Sequence, residues 1–281
     1  MTIGIIGLGL IGASLAACIH ENTNDIVIGR DINENTMRAA LGSRTVDGML
    51  TDQNTHDCDM ILIALYPRAA VTVLHEIAPR IRPETIVLDC CGIKRAICAE
   101  GKLLSERYGF SFVGGHPMAG RECWGYESAK ADLYKGASMI ITPDQEESKA
   151  TIDFISEYFK ALGFGRITRV TPEEHDEIIA CTSQLAHVLS SSYIRSETAA
   201  RHEGLSAGSF RDMTRVAALN DRMWSEIFID NKDNLLLEID NLIRHLQDYR
   251  DAIANDDREA ISEMMKDSTH KRAVYFHNQM I

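Results

Sequence analysis

The spacing of apolar and polar positions changes character near residue 170. Before it, short apolar runs recur between stretches of helical period; after it, only the helical period remains. The runs Ile3 to Ile6, Ile26 to Gly29, Met60 to Leu65, Thr85 to Leu88, Phe110 to Val113, Ser138 to Thr142 and Gly165 to Val170 predict strands. The stretches Leu10 to His20, Pro67 to Arg80, Ile93 to Tyr108 and Glu146 to Leu162 predict helices between them. Strands that alternate with helices imply a parallel sheet covered on both faces. Thr171-Pro172-Glu173-Glu174 then opens a helix, with a capping hydroxyl, a proline in the first position and acids in the first turn. Amphipathic segments run from there to about Arg201, from Phe210 to about Asp251, and from Asp256 to His277, with Glu203 to Ser209 as a glycine-bearing loop. The division expected is an α/β domain over residues 1–170 and an all-α domain over 171–281.

The first strand leads into Gly7-Leu8-Gly9-Leu10-Ile11-Gly12, the spacing G-x-G-x-x-G. The motif follows a strand, opens a helix, and has an acid, Asp31, at the end of the next strand. That context marks a Rossmann-type, doubly wound, mainly parallel sheet that binds a dinucleotide. Gly7 permits the turn, Gly9 lets the backbone approach a pyrophosphate, and Gly12 lets the helix pack close to the strand. The helix N-terminus offers free N–H groups and a partial positive charge. Asp31 suits the ribose hydroxyls of NAD and repels a 2′-phosphate, whereas Arg30 beside it suits NADP; the acid favours NAD. Ligands of such sheets bind beyond the carboxyl ends of the strands. The cofactor-facing set is therefore Gly7, Leu8, Gly9, Leu10, Ile11 and Gly12, with Arg30, Asp31, Leu65, Pro67 and Gly92.

Charge and cysteine content narrow the partners. A net charge of −12 argues against a chain that coats nucleic acid or anionic membrane, so an anionic small-molecule substrate needs a local basic pocket. Seven cysteines, an odd number without a C-x-x-C pair, predict a reducing cytoplasm rather than a disulfide framework, and no metal site. Ile3 to Ile19 is nearly all apolar and holds Leu15-Ala16-Ala17-Cys18, but only Met1 and Thr2 precede it and glycines interrupt it. It is read neither as a secretory signal nor as a membrane span.

Three stretches carry candidate chemistry. His116 stands in Val113-Gly114-Gly115-His116-Pro117-Met118-Ala119-Gly120, expected just past a strand end, where a ligand approaches closely. His187 lies within an apolar helix, as a core histidine or a ligand contact. Arg211 and Arg215 share a helix face, either solvated with Asp212 paired to Arg215, or as an anion clamp whose planar forks fit carboxylates. His175 is twelve residues before His187, about 18 Å along a straight helix, so both are not expected at one small substrate. His187 is preferred.

Together these residues resemble the prephenate dehydrogenase family, arogenate dehydrogenases included. The resemblance rests on Gly7 to Ser14, Gly114 to Gly120 with Glu122, the Ser183/His187 pair, Phe210-Arg211-Asp212-Met213-Thr214-Arg215, and Trp224, in order along nearly the whole chain. It implies oxidative decarboxylation of prephenate or arogenate with hydride transfer to NAD. His116 would be the base on the ring hydroxyl and Arg215 the main carboxylate clamp. His187 and Arg211 would serve side-chain recognition, and Glu122 with Asp212 would form a polar gate. It also implies a homodimer through the helical half. One departure is visible: Gly92 stands where many members carry a serine that bonds the ring hydroxyl. The β-hydroxyacid dehydrogenase and imine reductase families join similar domains, but usually place a lysine or aspartate where this chain has a histidine and two arginines. A dimeric NAD-binding sensor would need neither His116 nor Arg215.

Overall fold

A computed structural model describes residues 1–276. Among the described residues the strands are β1 (Thr2–Ile6), β2 (Ile26–Arg30), β3 (Gly48–Met49), β4 (Met60–Ile63), β5 (Ile86–Asp89), β6 (Ser111–Met118), β7 (Ser138–Pro143) and β8 (Arg166–Arg169). They form one sheet in the order β3-β2-β1-β4-β5-β6-β7-β8. Neighbours are parallel throughout except β6 and β7. The helices α1 (Leu10–Asn22), α2 (Glu34–Gly42), α3 (Pro67–Ile77), α4 (Arg95–Tyr108) and α5 (Lys149–Ala161) punctuate it. The first six strands follow the doubly wound order, whose reversal between β1 and β4 places the ligand crevice.

Two apolar clusters account for the unbroken hydrophobicity of the central strands. Met60 and Leu62 of β4 join one, with Leu15, Ile19 and Phe159; Ile61 and Ile63 join the other, with Leu74, Ile97 and Phe112. Side chains alternate along a strand, so both faces of the sheet are covered and no polar alternation survives.

The sequence reading missed β3 and α2, which are short and offer little periodicity. Asn33 starts α2 by accepting the N–H groups of Asn35 and Thr36. It also ended β6 too early. β5 pairs with β6 only as far as Val113, but antiparallel β7 carries the ladder on from Val113 to Met118. His116 therefore lies inside a strand, beyond the last residue of the parallel ladder, and not in a turn.

After β8 the chain is helical but more broken than the pattern suggested. The first segment comprises α6 (Pro172–Ile179), a π-helical turn over Ala180–Gln184, α7 (Leu185–Ile194) and a 3-10 turn over Glu197–Arg201. The second comprises α8 (Gly208–Thr214), a 3-10 turn over Arg215–Ala217, α9 (Asp221–Asp230) and α10 (Lys232–Ala254). The third is α11 (Arg258–Tyr275), and the expected end at His277 lies outside the described residues.

The chain forms two compact units, Met1–Lys232 and the segment from Asp233 onward. The first continues past residue 170 because buried Asp176 of α6 accepts the backbone N–H groups of Lys94 (2.7 Å) and Arg95 (2.9 Å) at the start of α4. In the second, Asp257 caps α11 through the Ala260 N–H, and Leu236, Leu237, Ile243, Leu246 and Ile253 of α10 are exposed. No helix among the described residues is long and apolar enough to cross a membrane.

Candidate active site

The loop between β1 and α1 has the shape of a phosphate cradle. Gly7 has φ +91°, and a Cβ there would lie 2.4 Å from the Ala64 carbonyl oxygen. A Cβ on Gly12 would lie 1.8 Å from the Gly7 oxygen, so only glycine lets α1 start this close to the strand. A Cβ on Gly9 would meet nothing within 4 Å, which is the open side a ligand needs. No side chain caps the first turn of α1, whose residues include Leu10 and Ile11, and no acid lies in it. Its N–H groups can receive an anion.

At the end of β2, Asp31 accepts the Leu8 N–H through Oδ2 and the Asn33 N–H through Oδ1, both at 2.8 Å. The carboxylate is thus tied to the glycine loop. Arg30 is engaged elsewhere, by Glu76 at 2.8 Å and Asp52 at 3.5 Å. Leu65 follows β4, Pro67 opens α3 in its first position, and Gly92 follows β5. These residues fit a dinucleotide.

The strand carrying His116 is pinned from beneath. Buried Lys94 forms an ion pair with buried Asp89 and donates to the Gly115 carbonyl at 2.6 Å. Asp89 also accepts the N–H groups of Cys91 (2.8 Å) and Gly115 (3.2 Å). A Cβ on Gly115 would lie 2.5 Å from the Asp89 carbonyl oxygen, so the glycine is required for this approach. Burial opposes the Lys94 charge, but the groups around it, Asp89 foremost, together outweigh burial and hold the ammonium protonated. Removing one partner would strand the other charge, at a cost of about 3–5 kcal/mol.

Half-buried His116 meets His175, a residue the sequence reading set aside. Nδ1 of His116 lies 2.9 Å from Nε2 of His175, with ring centroids 5.1 Å apart. Nδ1 of His175 lies 2.7 Å from Oδ1 of Asp176. Arg95 closes the far side, with Nε 3.3 Å from Asp176 Oδ2 and a guanidinium hydrogen bond to Asn231 at 2.9 Å. Burial pushes the His116 ring well below the ordinary histidine range, helped by the neighbouring His175 ring and the Lys94 ammonium, both of which disfavour a positive charge there. Burial also lowers His175, against its bond to Asp176. Asp176 feels burial in the opposite sense, but its hydrogen bonds from His175 and the two backbone N–H groups hold it ionised.

The remaining candidates form a second, more open group. His187 packs at a 48° tilt against Trp224 with ring centroids 3.9 Å apart, and its Nδ1 lies 3.1 Å from the Val216 carbonyl oxygen. Burial lowers its basicity, and the charges of Glu122 and Arg215 reach it. Arg215 pairs with Glu122, not with Asp212. Arg211 is 83% exposed, with Asp212 3.9 Å away. Among the described residues, no hydrogen bond or ion pair joins His116 to His187, Arg211, Arg215 or Glu122. His175, Asp176, Lys94 and Asp89 are the members that sequence reasoning missed. A cue was present in the adjacent His175-Asp176 pair on a capped helix, and in a lysine and an aspartate flanking Cys90-Cys91-Gly92-Ile93.

Residues 15–168 match the family model described as prephenate dehydrogenase, nucleotide-binding domain, and residues 171–267 match prephenate dehydrogenase, dimerization domain. The first match begins after the glycine loop, so the loop stands on its own geometry. The chain is 31% identical over 280 residues to a cyclohexadienyl dehydrogenase of Zymomonas mobilis, covering 96% of this chain and 94% of that protein. It is 30% identical over 275 residues to a prephenate dehydrogenase of Bacillus subtilis, covering 94% and 73%. Its fold is similar to the crystal structure of Synechocystis arogenate dehydrogenase, with a TM-score of 0.82, 25% identity, and coverage of 98% and 100%.

Proposed function

The chain belongs to the prephenate dehydrogenase family of oxidoreductases, and we propose that it oxidises and decarboxylates prephenate to 4-hydroxyphenylpyruvate, for tyrosine biosynthesis. His116 takes the proton of the ring hydroxyl as hydride leaves the carbon that bears it. Loss of the ring carboxylate as carbon dioxide then sends an electron pair through the ring, which becomes aromatic, and the oxygen takes a proton back from His116 to give the phenol. NAD, when bound, accepts the hydride. The observation that carries the reading is His116: a half-buried imidazole, held neutral by its surroundings, on the strand that overshoots the carboxyl end of β5. A base must be unprotonated at working pH and within reach of the ligand crevice.

Arg215 holds a substrate carboxylate in place of Glu122, and His187 and Arg211 read the side chain. Glu122 then acts as the gate that the substrate displaces. Arogenate shares the cyclohexadiene ring and both carboxylates, and the names of the Zymomonas and Synechocystis proteins keep it in view. Purified protein assayed with prephenate and with arogenate, each with NAD and NADP, tests the reading through the absorbance of reduced nicotinamide. Turnover of neither substrate would overturn it.

NAD is preferred because Asp31 faces the loop while Arg30 is held by two carboxylates. Asp31→Ala should narrow the preference for NAD over NADP, and a wild type faster with NADP would reverse the assignment. Functionally, residues 1–170 form the dinucleotide domain and 171–281 the substrate-binding and dimerisation domain. The exposed apolar side chains of α10 support a homodimer, which light scattering would test. An odd number of cysteines, seven, with no C-x-x-C pair among them, fits a cytoplasmic enzyme.

A further inference from the structure

We propose that His175 is a positioning residue that fixes which ring nitrogen of His116 is free to take the proton, and that Asp176 fixes His175 in turn. The inference rests on reading His116 as the base. It follows from counting donors and acceptors along one line of contacts.

Asp176 is ionised and only accepts. Its carboxylate already receives the N–H groups of Lys94 and Arg95 and the Arg95 guanidinium. The His175 nitrogen 2.7 Å from Oδ1 must therefore be the donor, so His175 carries its proton on Nδ1. A neutral ring protonated at Nδ1 has a lone pair on Nε2. That lone pair lies 2.9 Å from Nδ1 of His116, which must in turn be the donor. The proton of His116 is then on Nδ1, and Nε2 is left bare for the substrate hydroxyl.

Neutrality of His175 is the condition, and its surroundings meet it. The ring is 1% exposed, and the Lys94 ammonium opposes a second positive charge, against the opposite pull of Asp176 and Asp89. When Nε2 of His116 takes the hydroxyl proton, the Nδ1–H bond to His175 becomes charge-assisted, and the Asp176 carboxylate lies one ring further on. No proton needs to move between the two histidines.

Two readouts test this, and the first needs no substrate. Nitrogen-15 spectra of the histidine rings of the free enzyme at neutral pH should show His116 and His175 both protonated at Nδ1 and bare at Nε2. In His175→Ala, His116 should lose its single tautomer, and kcat should fall by roughly 10²-fold, the lower end for impaired general-base catalysis, with KM and NAD affinity little changed. His175→Gln offers a carbonyl acceptor to the His116 Nδ1–H and should recover both the tautomer and part of kcat. A wild-type spectrum with the His116 proton on Nε2 would overturn the assignment. So would an alanine variant with unchanged tautomer and kcat. Should the alanine variant not fold, the wild-type and glutamine spectra still decide. Failure to oxidise prephenate would overturn the reaction instead, while the tautomer stands or falls by its own spectrum.

Discussion

The proposed base and the proposed clamp are built in opposite ways. His116 sits in a strand between paired neighbours, above a buried ion pair and against a buried His-Asp pair, with its Nδ1 edge already occupied. Arg215 sits where a seven-residue helix gives way to a 3-10 turn. It is 63% exposed, and its partner is a glutamate of the same chain. One group is fixed in place, and the other, in the proposed role, would exchange its partner Glu122 to bind a substrate. Proton transfer needs a set geometry and protonation state, which buried hydrogen bonds supply. Capture of a carboxylate needs an accessible fork, and an exposed ion pair worth about 0–1 kcal/mol gives it up at little cost.

The sharpest way to break the contrast is to remove the base. His116→Asn should fold and bind NAD as the wild type does, but lose roughly 10²- to 10⁴-fold in kcat. A normal kcat with a raised KM would make His116 a binding residue and place it with the clamp.

The clamp should fail differently. Arg215→Ala should raise KM for prephenate by roughly 10- to 150-fold, equivalent to losing a charged hydrogen bond of about 1.5–3 kcal/mol. Arg211→Ala should raise it less, and Arg215→Lys should recover little, because an ammonium has no planar fork. Thermal stability should barely move, since the pair with Glu122 is exposed. Equal KM values for wild type and Arg215→Ala would reduce the arginines to a solvated helix face.

Acid should find the two regions apart as well. His116 and His175 both have depressed pKa values in the folded chain, burial being the main cause. Below about pH 6.5 the unfolded chain takes up protons that the folded chain refuses, so stability present above that pH is lost as pH falls. The limit is about 1.4 kcal/mol per pH unit for each site. The urea midpoint should therefore drop between neutral pH and the mildly acid range, and His175→Gln should flatten the drop. Arg215→Ala should flatten it less, because it only relieves His187, itself held low mainly by burial, of one neighbouring charge. A flat wild-type curve would mean that neither ring is held neutral.

The same contrast governs what could be read from the sequence. The glycine loop and Asp31 are local: motif, strand and helix lie within 31 residues, and the structure keeps their order. Arg211 and Arg215 are legible as a pair for the same reason. The buried region is not local. His116 reaches His175 across 59 residues and Lys94 reaches Asp176 across 82, and apolar periodicity says nothing about buried polar groups. The strand under His116 was read as a turn because Gly and Pro favour turns, whereas its partner β7 lies beyond a loop of some twenty residues. His175 was weighed against His187 on a straight helix, but the π-helical turn at Ala180–Gln184 interrupts it. His175 touches His116, and His187 touches the Val216 carbonyl and Trp224 instead.

The smallest effect expected comes from the point between the two regions, Gly92. It follows β5 in the turn that Asp89 anchors through the Cys91 N–H, and it stands where the family resemblance leads one to look for serine. Nothing in the backbone demands glycine: a Cβ there would make ordinary contact with Ile227 Cδ1 at 3.4 Å. Gly92→Ser should therefore fold normally. If the hydroxyl reaches the ring hydroxyl of the substrate, it adds one neutral hydrogen bond, about 0.5–1.5 kcal/mol or roughly 2- to 12-fold in kcat/KM. A gain of that size would show that the fixed region can accept a second contact without disturbing His116. No gain would mean that His116 alone handles the hydroxyl here. A loss larger than tenfold, with NAD affinity intact, would show that the space beside Gly92 is occupied by substrate, and the preorganised half of the site would then take part in recognition as well.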